Sequence, residues 1–366
     1  MDAPASDQLE ISLFGPGYGE ALAIHIGKGR WVLVDSCLNP DNTPAAMAYL
    51  AGLERAEVVQ IVATHWHDDH IRGISRLIEA APDAQVVISS VLSRKEFLKL
   101  VAIHRGGVLA NTSGIDEFAA VLRCLQRRKA GNARFGAPTC AVADRLLLRD
   151  LDALGEARPV SLYALSPSDA AILQAQLAFS QMMPVARAAK RRVASPRPNH
   201  ASVALWLEAG EHRVLLGADL ERTTDVETGW SAIAQRSTVV AGATAEVFKL
   251  PHHGSETGHA EEVWDGLVRD STALLTPFNR GKKPLPTEED LARIASRSRE
   301  VLLTARPRTA KLRRPASTQK MINAVVRSMS PVNAGWGHVR LRTTPGAPSR
   351  AWTCELFGDA WRYGAA

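Results

Sequence analysis

The chain is poor in the residues that would tie it down covalently. Its four cysteines, Cys37, Cys124, Cys140 and Cys354, are far apart and form no Cys-x-x-Cys. That argues against a disulfide framework and against a structural zinc site built on thiolates. Long apolar runs are also missing. Nothing approaches the roughly 18 consecutive apolar residues that a membrane-spanning helix needs. The start, Met1-Asp2-Ala3-Pro4-Ala5-Ser6-Asp7, has no basic region followed by an apolar one, so no secretory signal is expected and the chain reads as cytoplasmic. No repeat of fixed period is present. What remains is an ordinary globular composition, 46% hydrophobic and 22% charged over 366 residues. The 44 Lys and Arg against 38 Asp and Glu leave a net charge of +6, compatible with a polyanionic substrate without requiring one.

The first third alternates apolar strands with helices. Leu9–Phe14, Ala21–Ile26, Trp31–Asp35, Val58–Ala63 and Gln85–Ser89 read as strands, and Pro44–Glu54 and Ile71–Ala80 as helices. This alternation implies a layered α/β protein. From about 93 to 198 the pattern becomes helical (Arg94–Val101, Ile115–Lys129, Ser168–Phe179) and carries the basic clusters Arg127-Arg128-Lys129 and Lys190-Arg191-Arg192. Arg187–Pro198 has the composition of a mobile basic loop. Strands resume at Ser202–Glu208, Arg213–Gly217, Glu246–Leu250, Thr272–Thr276 and Val301–Thr304, with a helix over Thr287–Arg297. The last stretch, with Trp336, Trp352 and Trp361, reads as terminal strands. Those tryptophans suit core packing better than a stacking platform for bases.

The chemistry is concentrated in His65-Trp66-His67-Asp68-Asp69-His70. This His-x-His-x-Asp-His pattern follows a buried-type strand and precedes a helix, so four ligand-type side chains project from one short loop. His65 and His67 lie two apart and can share one metal. Asp69 and His70 can serve a second. Imidazole and carboxylate donors suit Zn first, with Mn or Fe as alternatives. Asp219, after Gly217-Ala218 at a strand end, is placed to bridge two ions. One member of the His252-His253 pair, also at a strand end, is expected to complete the second site.

These motifs resemble those of the metallo-β-lactamase-fold hydrolase superfamily, and most closely the hydrolase domain of ComEC-type competence proteins. The shared features are the Gly-rich loop Gly15-Pro16-Gly17-Tyr18-Gly19-Glu20, Asn199-His200-Ala201-Ser202, Gly217-Ala218-Asp219 and Lys249-Leu250-Pro251-His252-His253-Gly254-Ser255. The resemblance implies a four-layer αββα sandwich over 1–366, with 93–198 as a helical and basic insertion. It implies two divalent transition-metal ions held by His65, His67, Asp69, His70, Asp219 and His253. Asp35 is implied to orient the histidine loop. The usual third histidine of the first metal falls near Asn199 and His200, so either is a candidate metal ligand or substrate contact. Asp68, Asp69 and His252 are candidate catalytic groups, with Asp68 or His252 shuttling protons. Lys249 and Ser255 are candidate phosphate contacts.

The expected activity is attack by metal-activated water on a phosphodiester, with nucleic acid as one such substrate. Two alternatives stand beside it. One is hydrolysis of a small ester, lactone, thioester or lactam at the same site. The other is a non-catalytic nucleic-acid-binding or regulatory module of the same fold. No membrane association is expected, and no motif identifies a protein partner.

Overall fold

The computed structural model describes residues 2–104, 113–131, 134–154, 159–181, 198–280, 284–307, 315–326, 336–344, 346 and 352–364. The first sheet takes β1 (Leu9–Phe14), β2 (Ala21–His25), β3 (Arg30–Val34), β4 (Glu57–Ala63), β5 (Gln85–Ser89) and β6 (Thr139–Ala141). The second takes β7 (Arg145–Asp150), β8 (Val160–Ala164), β9 (Leu205–Ala209), β10 (His212–Leu216), β11 (Ala245–Lys249), β12 (Val268–Leu275) and β13 (Glu300–Leu303). The C-terminal strands split between them. β14 (Gly337–Thr343) and β15 (Thr353–Gly358) extend the first sheet beyond β1, and β16 (Trp361–Arg362) extends the second beyond β13. The strand orders are β15-β14-β1-β2-β3-β4-β5-β6 and β16-β13-β12-β11-β10-β9-β8-β7.

The helices are α1 (Ala45–Ala51), α2 (Asp68–Ile71), α3 (Ile74–Ala80), α4 (Lys95–His104), α5 (Ser113–Ala130), α6 (Asp169–Gln181), α7 (Gly229–Arg236), α8 (Glu261–Gly266), α9 (Glu288–Ala295) and α10 (Ala316–Val325). Three apolar cores explain the layering. Leu9, Ile11, Leu13, Val32, Val34 and Val62 of the first sheet meet Leu162, Leu205, Leu207, Val214, Val247 and Leu274 of the second. The opposite face of the first sheet packs on α1, α3, α4 and α5 through Ile61, Val86, Ile88, Leu77, Phe97 and Phe118. The opposite face of the second packs on α7, α8 and α9 through Trp206, Phe248, Trp230, Trp264 and Ile294. Central strands are buried on both faces, which is why β4 and β5 read as continuous apolar runs. Each fully buried aliphatic side chain contributes about 1.5–3 kcal/mol. The expected four-layer αββα sandwich is thus present.

Three details differ from the sequence reading. The 93–198 stretch is not only helical, since β6 extends the first sheet and β7 and β8 extend the second. The helix expected over 71–80 is broken by Gly73 (φ 82°), which leaves α2 as a single turn carrying Asp69 and His70. The Arg127-Arg128-Lys129 cluster does not form a basic face, because Arg128 is buried and donates to the carbonyls of Ile78, Ala81 and Ala84. Lys190-Arg191-Arg192 and most of the basic segment 187–198 lie outside the described residues. Trp336, Trp352 and Trp361 each pack on a different one of the three cores, so they form no common platform. Among the described residues no helix is long and apolar enough to cross a membrane.

Candidate metal centre

The site forms where parallel strands end. β4 runs parallel to β3 and β5, and β11 runs parallel to β10 and β12, so their C-terminal ends crowd one edge of the sandwich. β4 leads into the His65–His70 loop, β10 into Asp219, and β11 into His253. Tight backbone makes the approach possible. A Cβ on Gly217 would sit 2.9 Å from Pro251 N and 3.0 Å from Lys249 O, so only glycine lets these two strand ends close up. Ala218, His252 and His253 all hold positive φ (44°, 46° and 55°), a sparsely populated conformation kept where function or packing demands it.

Two groups of ligand-type atoms, each within 4.8 Å of one another, share Asp219. One is His65, His67 and Asp219, and the other is Asp69, His70, Asp219 and His253. Asp219 Oδ1 lies 3.2 Å from His70 Nε2 and 3.8 Å from His253 Nε2, and its Oδ2 lies 3.8 Å from His65 Nε2. His253 Nε2 is 3.1 Å from Asp69 Oδ2. Yet His65 Nε2, His70 Nε2 and Asp219 Oδ1 are buried with no properly formed hydrogen bond. Leaving one buried polar atom unsatisfied costs about 1–3 kcal/mol. Three such atoms converging from two strand ends are compatible with divalent metal binding.

The surrounding residues fix these rings. Asp35, at the end of β3 with φ 59°, accepts from Thr64 N (2.8 Å) and Thr64 Oγ1 (2.7 Å) and pairs with His70 Nδ1 (2.8 Å). Thr64 Oγ1 also meets His65 Nδ1 at 3.0 Å. Ser202 Oγ contacts the same nitrogen at 3.3 Å and accepts from Asp219 N at 3.3 Å, which couples ligands of the two sheets. His253 Nδ1 lies 2.9 Å from Thr276 O, leaving Nε2 facing the centre. Glu20 is buried, pairs with Lys249, and stands 3.6 Å from His70 Nδ1. Burial works against charge throughout, and the partners decide the outcome. Carboxylates of Asp219 and Glu20 raise the His70 pKa despite burial. His65 is buried beside His70 and His67 and falls well below the usual imidazole range. Asp219 is held well below the carboxylate range by His70 and His253, against the cost of its burial.

The other expected site residues sit around this centre. His252 stays outside both ligand groups, with Nδ1 2.9 Å from Glu221 Oε1 and 2.7 Å from Thr257 Oγ1. His200 Nε2 lies 3.3 Å from Glu221 Oε2, and Asn199 Nδ2 donates to Glu221 Oε1 at 3.2 Å. His200 belongs to neither ligand group, and Asn199 keeps its Oδ1 buried without a hydrogen-bond partner. Asp68 Oδ2 accepts from Tyr18 OH at 2.8 Å and lies outside the ligand groups. Lys249 is a correction. Its ammonium is fully buried, bound to Glu20 and to Ala218 O (3.0 Å), and cannot meet a substrate phosphate. Ser255 accepts from Thr257 N and caps the following turn. Thr64 and Glu221 are neighbours of the site that the sequence alone did not single out, while Glu20 and Ser202 entered only as members of shared motifs. The signals were present: Thr64 abuts the motif, and Glu221 follows Asp219 by two.

Residues 14–96, which include Asp35 and the whole histidine loop, match the family model described as Metallo-beta-lactamase superfamily. Over that stretch the chain is similar to the metallo-beta-lactamase superfamily, and the structure around it has two sheets flanked by helices, consistent with that family's sandwich, and a His/Asp cluster compatible with divalent metal binding. No curated protein matches it. Among solved structures it is similar to Igni18, a metallo hydrolase from Ignicoccus hospitalis, at 13% identity over 73% of this chain and 81% of that one, with a TM-score of 0.37. It is similar to Zn(2+)-bound PqqB from Methylobacterium extorquens at 14% identity over 80% and 87%, with a TM-score of 0.38. The metallo-beta-lactamase fold protein YhfI from Bacillus subtilis matches at 14% identity over 66% and 70%, with a TM-score of 0.33.

Proposed function

We propose that the protein is a two-metal phosphodiesterase of nuclease type, acting in the cytoplasm and loaded with Zn, or with Mn or Fe in its place. The observation that carries a two-ion hydrolase is the sharing of Asp219 between the His65/His67 group and the Asp69/His70/His253 group. The phosphodiester assignment is supported by the ComEC-type motifs, by the net charge of +6 and by Arg280, an exposed guanidinium stacked 3.7 Å over the ring of Tyr18, whose hydroxyl reaches Asp68 beside the ligands.

When bound, divalent ions supply Lewis acidity and lower the pKa of water toward neutrality. The chain's own residues do the positioning. Asp35 and Thr64 hold the rings of His70 and His65 in fixed orientation, and a locked first shell keeps the reacting groups in register. Glu221 and Thr257 engage His252 at Nδ1, which leaves Nε2 to pass a proton to a leaving group. Phe278 packs 5.3 Å from the His253 ring and helps keep that side dry.

The test is a substrate panel on metal-loaded protein: bis-p-nitrophenyl phosphate, single-stranded DNA and RNA against a lactone and a β-lactam. Phosphodiester turnover that disappears on chelation and in Asp69→Ala is expected. Turnover of the carbonyl substrates alone would overturn the substrate class. Salt-dependent retention of DNA with no turnover at all would make the protein a binding module. Full activity in metal-free protein would sink the reading altogether.

A further inference from the structure

A cavity of about 210 Å3 opens beside the metal centre and plays no part in holding the ligands. His65 forms one wall, so the cavity and the first ligand group share a side chain. Trp66 and His200 flank it, and α6 closes it with Ala171, Gln174, Ala175 and Ala178, one face of the helix at i, i+3, i+4 and i+7. Alanines at this face leave the space that longer side chains would fill.

Two properties define the occupant. Among the described residues no Lys, Arg, Asp or Glu lines the cavity, so they offer a phosphate no counter-ion, whereas an uncharged ring would be welcome. An apolar cavity of about 150 Å3 already accepts benzene, so this space admits a single flat ring with substituents. The walls are nevertheless not uniformly apolar. The indole N–H of Trp66 is buried with no hydrogen-bond partner. Gln174 has its Nε2 committed to Asp225 Oδ2 at 2.7 Å, which leaves its carbonyl oxygen to accept. His200 is held through Nε2 by Glu221. An unused donor and an available acceptor suit a ring whose edge carries both, which an acyl chain or a plain phenyl ring lacks.

We infer that this cavity is a base subsite, receiving the uncharged ring of a nucleotide whose phosphodiester lies at the metal centre. The second half of that statement rests on the phosphodiester reading, and the first half does not. The subsite is shared between α6, within the 93–198 stretch, and the Trp66 and His200 flanks outside it, so α6 is the part of that stretch that takes part in choosing the substrate.

The experiment uses metal-free protein and equilibrium dialysis with thymidine. Saturable binding of one thymidine per chain is expected. Ala175→Phe and Ala178→Leu, which fill the cavity, weaken it by about tenfold or more while the unfolding midpoint stays in place. Ribose 5-phosphate, which has sugar and phosphate but no base, does not displace it. No saturable binding, displacement by ribose 5-phosphate, or unchanged affinity in both filled variants would overturn the subsite. Failure of the phosphodiester reading looks different: metal-loaded wild type would leave thymidine 5′-phosphate p-nitrophenyl ester intact while thymidine still bound.

Discussion

Two buried polar regions of the first sheet are built to opposite rules. Around β1 and β14, Glu10 spends both carboxylate oxygens: Oε1 accepts from Ser12 (2.6 Å) and Tyr49 (2.8 Å), and Oε2 from Arg342 (2.7 Å). Ser12 in turn meets His338 Nε2 at 2.8 Å, and Arg340 pairs with Glu355. At the C-terminal strand ends, by contrast, Asp219 Oδ1, His65 Nε2 and His70 Nε2 converge without hydrogen bonds. Glu10, Ser12 and His338 are as inaccessible as Asp219, His65 and His70, so burial does not separate the two. Satisfaction does. A cluster that leaves over a single ring nitrogen, His338 Nδ1, holds the fold, whereas one whose atoms converge on a common point is built for a ligand.

That contrast can be broken in four places. Asp219→Asn is expected to show the largest effect. Metal content falls from about two ions per chain and kcat/KM drops on the order of a thousandfold, since even residues behind the ligands cost 10–100-fold. In metal-free protein Asp219→Asn also removes the carboxylate that faces the buried His70 and His253 rings, so its stability is read separately from metal content, and a loss of stability with metal content intact would place Asp219 among the groups that hold the fold. Lys249→Met comes next. It strands Glu20 in the interior and is expected to cost about 3 kcal/mol in urea unfolding, with Glu20→Gln in the same chain restoring part of it. Glu10→Gln should cost roughly 2 kcal/mol through Arg342 while leaving metal content intact. Metal loss in that variant would show the two regions to be one network.

The last effect is a slope rather than a step. Burial pushes His338 down to about 3 and His25 down to about 4. Both rings stay neutral in the folded chain, while the unfolded chain takes up their protons as pH falls below about 6.5. Folding stability is therefore expected to decline from about pH 6.5 toward 4, by up to about 1.4 kcal/mol per pH unit for each ring. His338→Gln should flatten that slope in pH-dependent urea titrations, and an unchanged slope would remove His338 from the account.

Much of the fold was legible because its central strands are buried on both faces and so announce themselves as apolar runs. β6, β7 and β8 were not. Arg145-Leu-Leu-Leu-Arg-Asp is a strand whose ends are charged and half exposed, and it reads as helix or loop without its partner β8 beside it. The ligand set was legible because its six donors come from three short runs, four of them in one loop. Its supports were not, because they are made by distance. Glu20 meets Lys249 across 229 positions, and Ser202 meets His65 across 137. A lysine at a strand end reads as solvated until the glutamate that buries it is placed. The break at Gly73 was visible as a glycine, but only its φ of 82° shows that the helix stops there.

The donors at the centre arrive from both halves of the sandwich, four on the loop after β4 and two after β10 and β11. An ion gripped by both is a clasp between two sheets. Any ion that binds only the folded chain adds about 2.7 kcal/mol at a hundred times its dissociation constant. Here that gain would fall on the seam, where it would add to the apolar core the two sheets already share, so a chelator would lower the stability of the joined sandwich rather than of either sheet alone.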